Sequence, residues 1–438
     1  MTPSWTQGTV RIVDKLYGEI SFPDFICALL ACPAVMRLRE VRMSNINFLC
    51  YPGFAETTRF EHSIGTCYLA SLAARKLGTP PRDTMTLMAA ALYHDVATPP
   101  FAHATEDVFT EHFGFNHEDK LFEILSGKHT ASTVATGQYA PIFLGRRAIL
   151  QRVCQSPTFR RLGIDPLEVA GVAHGEGVLG QLISGDIDLD NLDNVVRAAL
   201  NMGLRPALNI GVRLAMAFAI EGNLVRMSPD SLEDIVAWQK LRWRVYDGIF
   251  TDFRDFALQS MLKLAIVRAI EDGSIVADHW NCTDNELLHE HLMRSPEASS
   301  IVERMRLGDL FEPLAVVATR QPEAKKRVLC RSQRKELEAR MEQWLGTQCV
   351  VNYYVDKRGR SLHNLPGSEG AQPIGSATDD NLIVGVFTPS KKALSRTRRT
   401  EFKQFLGRLL GAEINDMRET HRGSDATKAV QRPLGIGA

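Results

Sequence analysis

An apolar run, Ala89-Ala90-Ala91-Leu92-Tyr93, ends in the adjacent pair His94-Asp95, is closed by Pro99-Pro100, and is followed at once by His103. Neighbouring residues on a helix do not share a face, so His94 and Asp95 can converge on one point only near a helix end. The prolines supply that end, because neither donates a backbone hydrogen bond. Imidazole and carboxylate together suit a divalent metal. A single His-Asp pair arises often by chance, so the rest of a site must come from elsewhere in the chain.

With 438 residues, 45% of them hydrophobic, the chain can bury a large core and hold two or more domains. Lys+Arg and Asp+Glu both number 51, so net charge points to neither a nucleic-acid nor a membrane partner. The eight cysteines never form a CxxC pair, which argues against a zinc ribbon or disulfide scaffold and fits a reducing compartment. The first residues lack the basic-then-apolar order of a signal peptide, and no apolar run approaches the roughly 18 residues of a membrane span. We expect a soluble, cytoplasmic protein.

Taken in order, residues 8–20 suggest a short strand or turn pair. Residues 22–41 have helical spacing divided by Pro33, and 42–57 read as a loop. Thr58 followed by Glu61 matches a capping box, opening a helix that carries His62 in its first turn and stops at Gly78. A helix over about 83–96 carries His94 and Asp95 at its end; 104–127 is helical with a break at 113–116; 141–184 gives three short helices. Asp186, Asp188, Asp190 and Asp193 then gather at the start of another helix, where the dipole tolerates negative charge. Long helices occupy 230–270. Beyond about 310 a helix at 337–345, strands at 349–355 and 382–387, a Gly/Ser/Pro-rich loop at 358–379 and a basic helix at 391–410 make a smaller α/β region. The expected organisation is mainly α: a helical domain over 1–310, a small α/β domain over 311–420 and a loose tail over 421–438.

His62, His94-Asp95 and an aspartate within 188–193 stand in the order H…HD…D, all at expected helix ends. That order resembles the HD superfamily of metal-dependent phosphohydrolases. Arg59-Phe60-Glu61-His62-Ser63-Ile64-Gly65 is similar to the RFEHS-x-G block of its deoxynucleoside triphosphate triphosphohydrolase branch. His94-Asp95…Pro100-Phe101-Ala102-His103 resembles that branch's HD-x-x-H-G-P-F-S-H, and Asn116-His117-Glu118 its later His-Glu step. Residues 187–193 are similar to its I-D-x-D-x-x-D-Y, residues 16–39 to its N-terminal segment, and Leu241–Tyr246 to its R-R-x-Y helix.

The resemblance implies His62, His94, Asp95 and Asp190 as metal ligands, Asp190 because the branch uses the second aspartate of I-D-x-D. It implies His103, Glu106, His117 and Glu118 as the groups that handle protons and the attacked phosphate. Arg59 would hold a phosphate with its planar fork, Tyr246 would line the sugar and base pocket, and Asp188, Asn194 and Arg197 complete the substrate set. The implied cofactor is a divalent ion (Mn, Mg, Fe, Co, Ni or Zn). The implied partners are a nucleotide substrate, further copies of the chain and a regulatory nucleotide. No membrane is implied, and the basic run 391–399 reads as a solvated helix face in preference to a nucleic-acid site. Thr98, Pro99, Asn194 and Ala198 stand where the branch has His, Gly, Tyr and Asp, so the metal set is intact while the sugar-reading set is partly replaced. The expected reaction is hydrolysis of a (deoxy)nucleoside triphosphate to nucleoside and triphosphate. Two alternatives are a dinuclear nucleotidase or phosphodiesterase and a nucleotide-binding regulator with weakened turnover.

Overall fold

The computed structural model describes residues 9–43, 51–126, 159, 161–356, 381–390, 394–412 and 415–416. They divide into two units: one from the residues up to Tyr246 together with Ala265–Glu303, the other from Asp247–Leu264 and the described residues from Arg304 onward.

The first unit opens with an antiparallel hairpin, β1 (Thr9–Asp14) and β2 (Gly18–Pro23), in which Asp14 pairs with Gly18. Asp14 Oδ1 accepts the backbone N–H groups of Leu16 and Tyr17 and so shapes the turn. Two short helices follow, α1 (Asp24–Leu30) and α2 (Pro33–Arg37), with Pro33 at the first position of the second, where its missing N–H costs nothing. After α3 (Pro52–Ala55) come the two helices that build the centre, α4 (Arg59–Leu77) and α5 (Pro81–Tyr93). Thr58 caps α4 by accepting the Glu61 N–H at 3.4 Å, and Gly78 ends it at φ 65°. The Glu61 carboxylate does not complete the capping box but stands 3.6 Å from Lys15 Nζ.

Every residue of α5 from Met85 to Tyr93 is buried, the pattern of a helix wrapped on all sides. Its last residue is Tyr93, so His94 and Asp95 fall in the turn beyond it, the end that the prolines were expected to impose. Next come α6 (His103–Phe113) and α7 (His117–Ser126), separated at Gly114, whose φ of 78° favours glycine. Of the three short helices expected over 141–184, the part on 141–158 lies outside the described residues; beyond it stand α8 (Pro166–Ala173) and a single turn, Gly177–Gly180. The acidic stretch does open a helix, α9 (Leu189–Asn201). A small hairpin, β3 (Phe218–Glu221) and β4 (Leu224–Met227), precedes the long helices Leu232–Thr251 and Phe253–Glu271.

The second unit is built on an antiparallel sheet of β5 (Glu312–Thr319), β6 (Val350–Asp356), β7 (Asn381–Thr388) and β8 (Asn415–Asp416), in the order β6-β7-β5-β8. Helices Pro322–Leu329, Arg331–Leu345 and Arg396–Leu410 cover one face, with Val328, Met341, Phe402 and Leu406 packed on Val317, Val351 and Val384. The expected fold class, helical with a smaller strand-containing C-terminal part, holds. The expected loop at 358–379 and tail at 421–438 lie outside the described residues. No described helix is long and apolar enough to cross a membrane.

Candidate metal centre

Three helix termini meet at one point. The first turn of α4 brings His62, the turn after α5 brings His94 and Asp95, and the first turn of α9 brings Asp190. His62 Nε2 lies 2.9 Å from Asp190 Oδ1, 3.2 Å from His94 Nε2 and 3.7 Å from Asp95 Oδ2. His94 Nε2 lies 3.4 Å from Asp95 Oδ2 and 3.6 Å from Asp190 Oδ1. Among the described residues, ligand atoms of His62, His94 and Asp190 fall within 4.8 Å of one another.

The other nitrogen of each imidazole is committed elsewhere. His94 Nδ1 donates to the Ala91 carbonyl at 2.8 Å, and a carbonyl can only accept. His62 Nδ1 donates to Asp193 Oδ2 at 2.7 Å. Both rings therefore carry their neutral-state proton on Nδ1 and turn Nε2 to the shared point, the arrangement in which a backbone or carboxylate acceptor fixes a metal-ligating histidine. Asp193 is itself held: Arg197 donates to it from Nε at 2.8 Å and Nη2 at 2.9 Å, and from Nη1 to Asp14 at 2.9 Å. Gly65 makes room for this pair, because a Cβ there would stand 2.0 Å from Asp193 Oδ1 and 2.4 Å from Arg197 Nη2.

The electrostatics are those of a tight charge cluster. Burial works to lower the His62 and His94 imidazoles, but Asp190 with Asp193, and Asp95 with Asp190, outweigh it and raise both. Burial likewise opposes ionisation of Asp95 and Asp190, yet Arg59 with His94 holds Asp95 well below the usual carboxylate range, and the two imidazoles do the same for Asp190. Two imidazole nitrogens and two carboxylate oxygens on one point fit a borderline divalent ion. Donors each about 2.1 Å from one ion lie roughly 3.0–3.5 Å apart, close to the spacings found here.

Beside this cluster stands a second one. Glu106 accepts from His103 Nδ1 at 2.8 Å, and from the backbone N–H of His117 at 3.1 Å and its Nδ1. The two rings are 5.6 Å apart, edge to face. Burial would raise Glu106, but hydrogen bonds from both histidines hold it far below its ordinary value. Burial would lower His117, and Glu106 reverses this and raises it, helped by the nearby charges of Asp95 and Glu118. Glu118 itself is exposed.

The expected substrate residues separate into two groups. Arg59 is buried, ion-paired with Asp95, and donates to the Met43 carbonyl at 3.2 Å. Tyr246 is half-buried under the Arg242 guanidinium and close enough to Asp190 and Asp188 to feel their charge. Asn194 is half-buried on α9. Arg197, by contrast, is not open to a phosphate: its side chain is 0% exposed and pairs with Asp193 and Asp14. Asp188 is the cap of α9, accepting the N–H groups of Asn191 at 2.6 Å and Gly185 at 3.0 Å. Burial and the adjacent Asp190 push its carboxyl up to about 7.

The support of His62 by Asp193 was not foreseen from the sequence, although Asp193 lies three residues after Asp190 and so on the same helix face. The bond from Arg197 to Asp14, which joins α9 to the first hairpin, left no local signal.

The HD domain family matches residues 59–138. Among curated proteins, an uncharacterized protein of Methanocaldococcus jannaschii is 22% identical over 314 residues, covering 69% of this chain and 59% of that protein. Deoxynucleoside triphosphate triphosphohydrolase SAMHD1 of Bos taurus is 31% identical over 111 residues, 24% of this chain and 19% of that one. The chain thus spans less than two thirds of the length of either relative. Among solved structures, a phosphohydrolase from Bacteroides thetaiotaomicron superposes with a TM-score of 0.59 over 86% of this chain and 99% of that chain, at 17% identity, a likeness of fold.

Proposed function

From the match of residues 59–138 to the HD domain family, we propose that this protein is a divalent-metal-dependent nucleotide phosphohydrolase that cuts a (deoxy)nucleoside triphosphate into nucleoside and triphosphate. One observation carries the proposal: His62 and His94, each with Nδ1 committed to an acceptor, turn Nε2 onto one point with Asp95 and Asp190. The similarity to SAMHD1 around that point supports nucleotides as the substrate class.

His62, His94, Asp95 and Asp190 would hold the ion. When bound, a divalent ion lowers the pKa of a coordinated water to about 7 and polarises a phosphoryl oxygen. Arg59, seated on Asp95, keeps that carboxylate ionised and would offer a fixed positive charge to an incoming phosphate. Protonation of the leaving oxygen falls to the second cluster. Glu106, bonded to both His103 and His117, favours an imidazolium beside it and raises His117 above the ordinary imidazole value against the effect of burial. Glu118 adds negative charge beside His117. Asn194 and Tyr246 remain as sugar and base contacts in this proposal, and Arg197 and Asp188 serve the architecture beneath them. Assembly into homo-oligomers, a regulatory nucleotide and a cytoplasmic location belong to the same proposal.

A second reading has an observation of its own. Ligand atoms of His103, Glu106 and His117 also lie within 4.8 Å of one another and could take a second ion, which would make the protein a dinuclear nucleotidase or phosphodiesterase. Incubation with a panel of NTPs, dNTPs, mononucleotides and cyclic nucleotides, each with Mn, Mg, Fe, Co, Ni or Zn, tests both readings when coupled to metal analysis. We expect triphosphate release from at least one dNTP, one metal per chain, and none of either in Asp95→Ala. His103→Ala and His117→Ala should keep the single metal while turnover falls by roughly 10²–10⁴. Two metals in the wild type, reduced to one in either variant, would establish the dinuclear reading instead.

A further inference from the structure

The turn that delivers His103 adopts a backbone conformation that its residues do not favour. Phe101 has φ 58°, and Ala102, which caps α6, has φ 50° and ψ −135°. Side chains with a Cβ rarely adopt this region, and such residues persist only where the surroundings over-determine them. Here they do, through a segment that lies far away in sequence. Asp284, 0% exposed, accepts the Phe101 N–H on Oδ1 at 2.6 Å. Its Oδ2 accepts the Arg42 N–H at 3.0 Å and Arg42 Nη1–H at 3.3 Å. Trp280 Nε1 donates to the Ala97 carbonyl at 2.7 Å. Arg37 donates to the Cys282 carbonyl at 2.8 Å and, from Nη2, to the carbonyls of Val96 at 3.2 Å and Thr98 at 2.5 Å. Residues 280–284 therefore grip the whole passage from the ligand pair to the start of α6.

We propose that Asp284 is a positioning residue for the proposed reaction, holding the left-handed Phe101-Ala102 turn so that His103 is presented beside the metal ligands. This rests on the assignment of His103 as a proton-handling group. Among the described residues, the Asp284 carboxylate bonds to Phe101 and Arg42, and it acts on the turn through the Phe101 amide. Its role is distinct from bulk stability, because its loss should free this turn and its bonds to Arg42 while the body of α4 and the ligand set stay in place. No local sequence signal marks it, since residues 101 and 284 stand 183 positions apart.

Hydrogen–deuterium exchange on the full-length protein with Mn²⁺ decides the structural half. Asp284→Ala should speed exchange in peptides covering 96–106 by at least about tenfold, while peptides within 62–77 stay at the wild-type rate. Asp284→Asn, which keeps one acceptor oxygen, should show a smaller change and serves if the alanine variant does not fold. Unchanged exchange at 96–106 in both variants overturns the proposal. A double-mutant cycle decides the functional half, with an equimolar mixture of the four dNTPs and Mn²⁺. Asp284→Ala should lower kcat by about 10–100-fold with KM and metal content unchanged, and by less than about twofold in a His103→Ala background. Equal losses in both backgrounds overturn it. If the wild type releases no product from this mixture, the proposed function fails, and the exchange experiment still decides whether Asp284 holds the turn.

Discussion

The Asp255 carboxylate is buried, 3% exposed, and faces a second carboxylate, Asp252. Burial, with the adjacent Asp252, pushes it up to about 8. A folded-state value above the unfolded one, about 3.9, means that the native state binds the proton more tightly. The stability this contributes is fully present below about pH 4 and lost as pH rises through 8. Asp255→Asn should therefore flatten the fall in stability between pH 5 and 9 and raise it at pH 9 by on the order of 1–2 kcal/mol. Urea midpoints of both proteins at pH 5, 7 and 9 check this; parallel curves would show that water reaches the carboxyl. Residue types were the most legible level of the chain. His62, His94, Asp95 and Asp190 could be named because each occupies a helix end that caps and prolines mark locally; the structure gathers ligand atoms of His62, His94 and Asp190, with Asp95 Oδ2 3.4 Å from His94 Nε2. The motif did not announce that Arg197 and Asp188 are buried and paired, because burial and pairing depend on what packs above a residue. Asp14, the partner that occupies Arg197, lies in another element altogether.

Helix boundaries were legible where capping chemistry was explicit, at Thr58, Gly78 and Gly114. Strand β5 was not foreseen, although it is the sheet's link between β7 and β8. Its run Leu314-Ala315-Val316-Val317 is buried throughout, so it lacks the alternation that identifies a half-exposed strand. The β3–β4 hairpin, in a stretch for which no element was expected, was not foreseen either. Between α4 and α9 the decisive feature is the absent side chain at Gly65. Alanine there gains about 1 kcal/mol of helix propensity, but its Cβ would stand 2.0 Å from Asp193 Oδ1. Overpacking typically costs 1–3 kcal/mol, and here it also displaces the acceptor of His62. The loss wins: Gly65→Ala should lower the urea midpoint and weaken Mn²⁺ binding by roughly 10–100-fold, measured by isothermal titration. A more stable variant with unchanged affinity would mean that Asp193 can retreat without releasing the imidazole.

For the molecule as a whole, ligand binding to the native state alone adds stability, about 2.7 kcal/mol at a hundredfold excess over Kd. Mn²⁺ should therefore raise Tm by several degrees, and Asp95→Ala should abolish the shift; equal shifts in both proteins would place the ion elsewhere. The chain of bonds behind His62 extends this dependence beyond the ligands. From imidazole to Asp193, to Arg197, to Asp14, hydrogen bonds run without a gap and end in the first hairpin, 183 positions before Arg197. Removing Arg197 strips the buried Asp193 and Asp14 of their shared guanidinium, a loss of roughly 3–5 kcal/mol. Descendants of this chain can thus alter Asp14, Arg197 and Asp193 only in concert, and the amino-terminal hairpin, which touches no ligand, is inherited as part of the centre.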